Sequence, residues 1–180
     1  MSQTFADTKH EEDSTPALDI DSAQNVVIRK AINYWHSVCG ARSFPARSDL
    51  TLRGLANVLR YTVIVSVIEA GADYEYRFVG DAEREAYKTD FKGVRLSAIE
   101  ATAPKFGAIL RTTYERVRSE RKPILIRARV DHPSADEWLP FHETVFFPLG
   151  VTDNAVDHIL IVSIGMPDPG LQKPDAKANS

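Results

Sequence analysis

Only one cysteine, Cys39, stands among the 180 residues. One thiol excludes an internal disulfide and every metal motif built on several cysteines, and a reduced cytoplasm is the default compartment for such a chain. No apolar run approaches the roughly 20 residues needed to cross a bilayer, and the first residues are polar and acidic, unlike a signal peptide. Basic excess is missing too: 22 Lys and Arg against 25 Asp and Glu give a formal charge of −3. That disfavours wholesale binding to nucleic acid or to an anionic membrane, and neither is expected as a partner. There is no Gly-x-Ser-x-Gly elbow, phosphate loop or dinucleotide fingerprint, and no internal repeat. No kinase, cyclase or helix-turn-helix segment is recognisable either, so any output is expected to pass through another protein.

What is present is enough apolar material, 43% of the chain, for one well-buried domain plus tails. Residues 1–21 offer little to set against the entropy of ordering and are expected to form a disordered acidic tail. Ile28, Ala31, Ile32, Trp35 and Val38 or Cys39 then fall at helical spacing over residues 23–39, with Ser22 as the cap and Gly40 as the stop. Pro45 biases Phe44 towards extended backbone. Asp49 or Thr51 opens a short second helix with Leu52, Leu55, Val58 and Leu59 on its buried side. Residues 22–60 thus read as an N-terminal helical extension, 61–166 as the core domain and 167–180 as a second disordered tail.

The core opens on Thr62–Ile68, rich in β-branched residues and apolar on both alternating faces, which marks a strand covered on both sides. A turn at Gly71-Ala72-Asp73 leads to a run that alternates, with Tyr74, Tyr76 and Phe78 against Glu75, Arg77 and Val79, as a strand near a sheet edge does. Asp81–Tyr87 places carboxylates in the first turn of a helix, where the dipole favours them. Gly93 suits a left-handed turn position. Pro104 heads a longer helix with Phe106, Ile109, Leu110, Thr113 and Val117 as its apolar stripe. Three strand-like runs follow, over 123–131, 139–149 and 158–166, the last apolar on both faces. This order predicts an α+β fold with helices gathered on one face of an antiparallel sheet. The doubly apolar first and fifth strands belong in the centre. The second and third, with Glu75, Arg77, Arg127 and Arg129, belong at the edges, so the order is 2-1-5-4-3.

That topology and a set of local motifs resemble a bacterial stand-alone PAS domain family of alphaproteobacterial type. The motifs are Tyr34-Trp35 in the first helix, Pro45-Ala46-Arg47-Ser48-Asp49 as a Pro-x-Arg-x-Asp loop, Tyr76-Arg77-Phe78-Val79-Gly80 at a strand end, the turn Asp90-Phe91-Lys92-Gly93, and Pro148-Leu149. The likeness spans residues 30–165. Leu52, Asp81 and Lys88 depart from it, standing where the family usually has Pro, Thr and Gly. The resemblance implies a PAS-like five-stranded sheet and a non-catalytic sensor or adaptor of bacterial signal transduction, acting through protein contacts.

Such a fold normally encloses a small cavity, with a lining expected from Val63 or Ile64, Tyr76, Phe78, Phe106, Ile109, Leu110, Ile126, Val145 and Ile161. Concave apolar space is the ordinary place for a small ligand; the bland alternative is that bulky side chains fill it, since native interiors leave few voids. Nothing stronger than a tyrosine hydroxyl is expected at these inward positions. That separates the sensor from a second reading, a small-molecule-binding enzyme on a cone-like α+β scaffold, which needs an ionisable pair there. A purely structural scaffold with a filled core is a third. His36, His132, His142 and His158 lack metal-ligand spacing, and none is placed on a helix beside the pocket, as an axial haem ligand would be. Cys39 reads as a small buried hydrophobe rather than a flavin-reactive thiol. No metal, haem or flavin is therefore expected. His142 with Glu143, and Asp131 with His132, are strand neighbours pointing to opposite faces, so neither pair converges on a substrate.

Arg77 is expected on the sheet face away from the tyrosines, anchoring a partner or paired with Asp49 or Glu69. Arg116, Arg118, Arg121, Arg127 and Arg129, with Arg111 and Lys122, form a basic patch that could meet an acidic partner, a nucleotide second messenger or phosphate; the plainer reading is a solvated helix end. The outer apolar face of the central strands must be hidden. Ile28, Ile32, Trp35, Ile64 and Arg77 are the expected partner surface, with the first helix folding over the sheet and helping to build an isologous homodimer.

Overall fold

The computed structural model describes residues 16–131 and 138–167. The expected tails over 1–15 and 168–180, and His132 with the loop that follows it, lie outside the described residues. The elements run α1 (Val26–Cys39), α2 (Leu52–Leu55), β1 (Thr62–Ile68), β2 (Asp73–Val79), α3 (Asp81–Tyr87), α4 (Leu96–Thr102), α5 (Pro104–Glu120), β3 (Ile124–Asp131), β4 (Trp138–Leu149) and β5 (His158–Gly165). The sheet is antiparallel throughout, in the order β2-β1-β5-β4-β3. The two doubly apolar strands lie side by side, Val63 opposite Ile161 and Val65 opposite Ile159. Burial on both faces explains their near-continuous apolar sequence.

Helices α3 and α5 face one side of the sheet, and α1 lies on the other. Helix α1 presents Ile28, Ala31, Ile32, Trp35 and Cys39 to the sheet. The Trp35 ring stacks on Phe147 at 5.5 Å, and its indole N–H donates to the Pro148 carbonyl at 3.2 Å. The cap is Asn25 rather than Ser22: the Asn25 side chain accepts from the Val27 amide at 2.8 Å, while Ser22 ends a 3-10 turn three residues earlier. Residues 16–21, assigned above to a disordered tail, are tied down. The Leu18 amide donates to the Leu125 carbonyl at 2.8 Å, which occupies part of the exposed edge of β3. In α2, Thr51 caps through Gly54, and Leu55 and Val58 are buried, but Leu52 faces solvent at 73% exposure.

One buried charge fastens this extension. Glu143 of β4 has no solvent exposure. Its carboxylate accepts from the amides of Gln24 (2.9 Å) and Asn25 (2.7 Å) and from Arg127 Nε (2.7 Å), and Arg127 also donates to the Ser22 carbonyl. Burial pushes the carboxyl up, but those donors outweigh it and hold Glu143 below the ordinary glutamate range. A carboxylate at the start of a helix also meets the positive end of its dipole.

Strand β2 departs from simple alternation. Ile64 sits opposite Phe78 but Val65 opposite Tyr76, so Arg77 is an extra residue, a β-bulge. Past it the faces exchange: Val79 joins Tyr76 on the helix side, and Phe78 turns to the α1 side beside Ile64, reversing the expectation for both. Gly80 then closes the strand. Its amide donates to the Thr62 carbonyl at 2.8 Å, and a Cβ there would stand 2.3 Å from the Arg60 carbonyl oxygen. After α3 the chain returns along the free edge of β2, with Gly93 N bonded to Tyr76 O (2.7 Å) and Tyr76 N to Val94 O (3.0 Å). Gly93 makes this turn at φ +81°, a left-handed conformation a side chain would resist. The turn carries Phe91 over the helix-side face.

The proposed partner surface is accounted for within one chain. Ile28, Ile32, Trp35 and Ile64 are all buried by α1 lying on the sheet. Arg77 donates to Ser66 Oγ at 3.0 Å and pairs with Glu75 at 2.7 Å rather than with Asp49 or Glu69; Asp49 is held by Arg42 and the Ala46 amide. These residues offer no free apolar face to a second copy.

Candidate functional site

Between the helix-side face of the sheet and helices α3 and α5 lies a cavity of about 360 Å³. Its size is that of a small-ligand pocket, so the core is not solidly filled. Val63, Tyr76, Phe106, Ile109, Leu110, Ile126 and Ile161 line it. Phe78 and Val145 do not. The bulge at Arg77 turns Phe78 away, and Val145, paired with Leu125 and Val162, belongs to the α1 face. The true β4 contribution is His142, Thr144 and Phe146, one residue out of phase with Val145. Both faces of β4 are apolar because α1 covers the second, so alternation alone left its phase undecided. Burial reflects this division. Leu125, Val145, Phe147, Leu160 and Val162 under α1 are fully buried, whereas Ile126, Ala128, Thr144 and Ser163 on the cavity side are only partly so.

The floor of the cavity carries a hydroxyl pair, Thr144 Oγ1 and Ser163 Oγ at 2.8 Å on neighbouring strands. A second pair joins Tyr76 Oη and Tyr114 Oη at 3.1 Å. Burial pushes the Tyr76 hydroxyl up to about 12, the bond from Tyr114 offsetting part of that, and burial likewise raises Tyr87 and Tyr114. All three hydroxyls are therefore neutral near pH 7 and can each donate or accept. The rings form a connected wall: Tyr76 to Phe91 at 5.7 Å, Phe91 to Tyr87 at 5.7 Å and Tyr87 to Phe106 at 5.9 Å.

Two groups stronger than a tyrosine hydroxyl also face this space. Glu83 of α3 and His142 of β4 both line the cavity, so the inward positions carry more than tyrosine hydroxyls. Desolvation alone pushes Glu83 up to about 7. Its place in the first turn of α3 reads as a dipole-favoured surface carboxylate; the overlooked signal is the four-residue spacing to Tyr87, which puts both on one helix face. His142 reaches the cavity from strand β4 rather than from a helix beside it. His142 and Glu143 do point to opposite faces: one into the cavity, the other to the α1 lock.

The remaining sequence candidates scatter. Arg116 and Lys122 both pair with Glu120, at 2.5 and 3.0 Å. Arg118 packs back on the turn at Gly71. Arg121 ends α5 at φ +54° and reaches the Asp153 carbonyl at 3.5 Å. Arg127 is spent on Glu143 across the sheet, and Arg129 sits at the cavity wall. The five arginines therefore form no single patch. His36 is exposed on α1, edge-on to Trp35, and His158 lies 2.7 Å from Asp157. Cys39 is buried in α1 and donates to the Trp35 carbonyl at 3.2 Å. Among the described residues no group of three or more His, Cys, Asp or Glu is placed to hold a metal ion, and no helix is long and apolar enough to cross a membrane.

A sheet of this order with a helix-walled cavity on one face agrees with what family comparison finds: a profile described as PAS domain matches residues 24–162. The chain belongs to the PAS domain family. No curated protein and no solved structure matches it. The match begins just before α1 and ends within β5. In this PAS domain the helix locked by Glu143 is thus part of the family unit.

Proposed function

We propose that this PAS domain is a non-catalytic sensor or adaptor of bacterial signal transduction, of the alphaproteobacterial type, working in the cytoplasm. Its signal is the occupancy of the cavity by a small organic ligand, and its output is a protein contact. The observation that carries this reading is the cavity itself, about 360 Å³ of open space lined by sheet and helix side chains. The same strands serve both faces. Val63, Phe146 and Ile161 meet the cavity, while their neighbours Ile64, Phe147 and Leu160 meet the α1 side. A ligand that tightens one face changes how firmly α1 is held on the other. The listener is another signalling protein or a second copy of the chain, reached through α1 and the segment before it. Haem and flavin have no part in this reading.

The test is mass spectrometry of small molecules released from natively purified protein, followed by thermal denaturation with each compound found. A true ligand raises the melting temperature as its concentration exceeds Kd, and it alters hydrogen exchange in residues 24–39. A chain that releases nothing and is stabilised by no metabolite refutes the ligand part of the proposal. Light scattering with and without the compound checks for a dimer.

A second reading, an acid–base enzyme on the same scaffold, draws on Glu83 and His142 sharing the cavity. It requires that a metabolite mixture lose a compound to the parent chain but not to Glu83→Gln.

A further inference from the structure

Glu83 differs from the other half-buried and buried carboxylates around it. Glu143 is paired with Arg127, Glu100 with Arg111, and Glu120 with Arg116. Asp73 is held by the amide and hydroxyl of Ser97. Glu83 faces the cavity with no cation paired to it among the described residues. Around that space stand Tyr76, Tyr87, Phe91 and Phe106, a chain of rings with centroids under 6 Å apart. Aromatic faces carry negative charge density and attract a cation, most strongly where water is thin. A lone carboxylate beside them adds a full charge of the same preference. Elsewhere in the lining the Thr144–Ser163 hydroxyl pair can hydrogen-bond a guest, and Ile126 and Leu110 add apolar surface. An anionic guest meets the opposite situation. It would have to share the space with Glu83, and Arg129 and His142 already have partners of their own.

Resting on the reading of the cavity as a ligand site, we infer that its ligand is a small organic cation, an amine or quaternary ammonium, whose charged head sits against Glu83 and the Tyr76–Phe91–Tyr87 rings. The high proton affinity of Glu83 when the cavity is empty is the cost that such a guest removes, since a cation replaces the missing counter-charge.

The test uses the full chain at pH 8 with four probes of similar size: 2-phenylethylamine, benzyltrimethylammonium, 3-phenylpropionate and indole. Thermal denaturation and calorimetric titration are the readouts. Both cations are expected to raise the melting temperature by several degrees at millimolar concentration, with 3-phenylpropionate inert. Glu83→Gln is expected to weaken both cations at least tenfold. The parent supplies a second readout that needs no variant: affinity for benzyltrimethylammonium, whose charge does not titrate, rises between pH 6 and 8 as Glu83 loses its proton. Tyr76 from β2, Tyr87 from α3 and Tyr114 from α5 stay neutral over that range, and Arg129 from β3 also faces the cavity. His142 from β4 is the other group able to titrate, so His142→Gln is measured beside Glu83→Gln. The slope is expected to survive the first and vanish in the second. The inference is overturned if 3-phenylpropionate binds as well as the cations, if Glu83→Gln binds them within twofold of the parent, or if the slope follows His142. Binding of indole alone overturns it while leaving the sensor reading intact. No binding by any probe overturns it and removes support for an accessible cavity as well.

Discussion

Replacing Glu143 by alanine isolates what holds the N-terminal extension to the sheet. Three donors converge on this fully buried carboxylate: the amides of Gln24 and Asn25 and the Arg127 guanidinium. Hydrogen bonds to charged groups contribute about 1.5–3 kcal/mol each, so the gross loss for three is about 4.5–9 kcal/mol. Arg127 keeps some relief, because its side chain is 17% exposed and also donates to the Ser22 carbonyl. Trp35 on Phe147 and the apolar stripe of α1 are untouched. A net loss of about 3–5 kcal/mol remains, the range for removing one partner of a buried ion pair, against about 5–15 kcal/mol for a whole domain. Urea denaturation followed by tryptophan fluorescence reads the loss. Hydrogen exchange locates it, with protection expected to fall first over residues 24–39. Glu143→Gln retains the shape and one good acceptor and should lose about half as much. The pH dependence has a definite sign. A carboxyl held low in the folded state contributes its full stability above its unfolded value, about 4.3, and loses it as pH falls through the lower folded value. That acid-side loss should be absent from Glu143→Gln. A stability for Glu143→Ala within 0.5 kcal/mol of the parent, or a protection loss spread evenly over β2 and α5, refutes the lock.

Glu83 has the opposite sign. Its raised folded value means that ionisation opposes folding, increasingly so from about pH 4.3 upward through about 7. Glu83→Gln in the empty protein should therefore melt at or above the parent temperature at pH 8, with the difference fading below pH 4, as thermal scans across pH will show. Thr144→Val and Ser163→Val should each destabilise by about 1–2 kcal/mol by orphaning the other hydroxyl, whereas the double variant costs less than the sum. Denaturation of all three closes that cycle. Gly80→Ala forces a methyl against the Arg60 carbonyl and should cost about 1–3 kcal/mol; a melting temperature unchanged within 1 °C would show that the β2–α3 corner can relax.

Much of the architecture was legible because two strands had to be covered on both sides. The runs 62–68 and 159–164 are apolar at every parity or nearly so, and only the middle of a sheet satisfies that. Glycine and proline marked the corners at Gly40, Gly93 and Pro104 in the same way. The cavity was legible where one face of an element differed chemically from the other, as for Phe106, Leu110 and Ile126. It was illegible where the faces were alike. Tyr76, Phe78 and Val79 are all large and apolar, so nothing local announced the bulge between them. Val145 and Phe146 are equally greasy, and only the pairing with Leu125 and Ile161 shows which looks inward. The apolar stripe of α1, by contrast, was legible, and the structure shows it spent on the sheet of its own chain.

Local composition, then, determined the elements, the central pair of strands and the presence of two apolar sheet faces, because backbone periodicity and desolvation act on neighbouring residues. Tertiary structure decided the rest. Glu143 became a clasp through amides 118 and 119 residues away in the chain. Glu83 became a cavity wall because α3 folds back against the sheet, bringing the carboxylate beside Tyr76 and Tyr87 with no cation among the described residues to meet it. The effective charge of a carboxyl depends on what surrounds it in three dimensions, and no pattern along the chain carries that information.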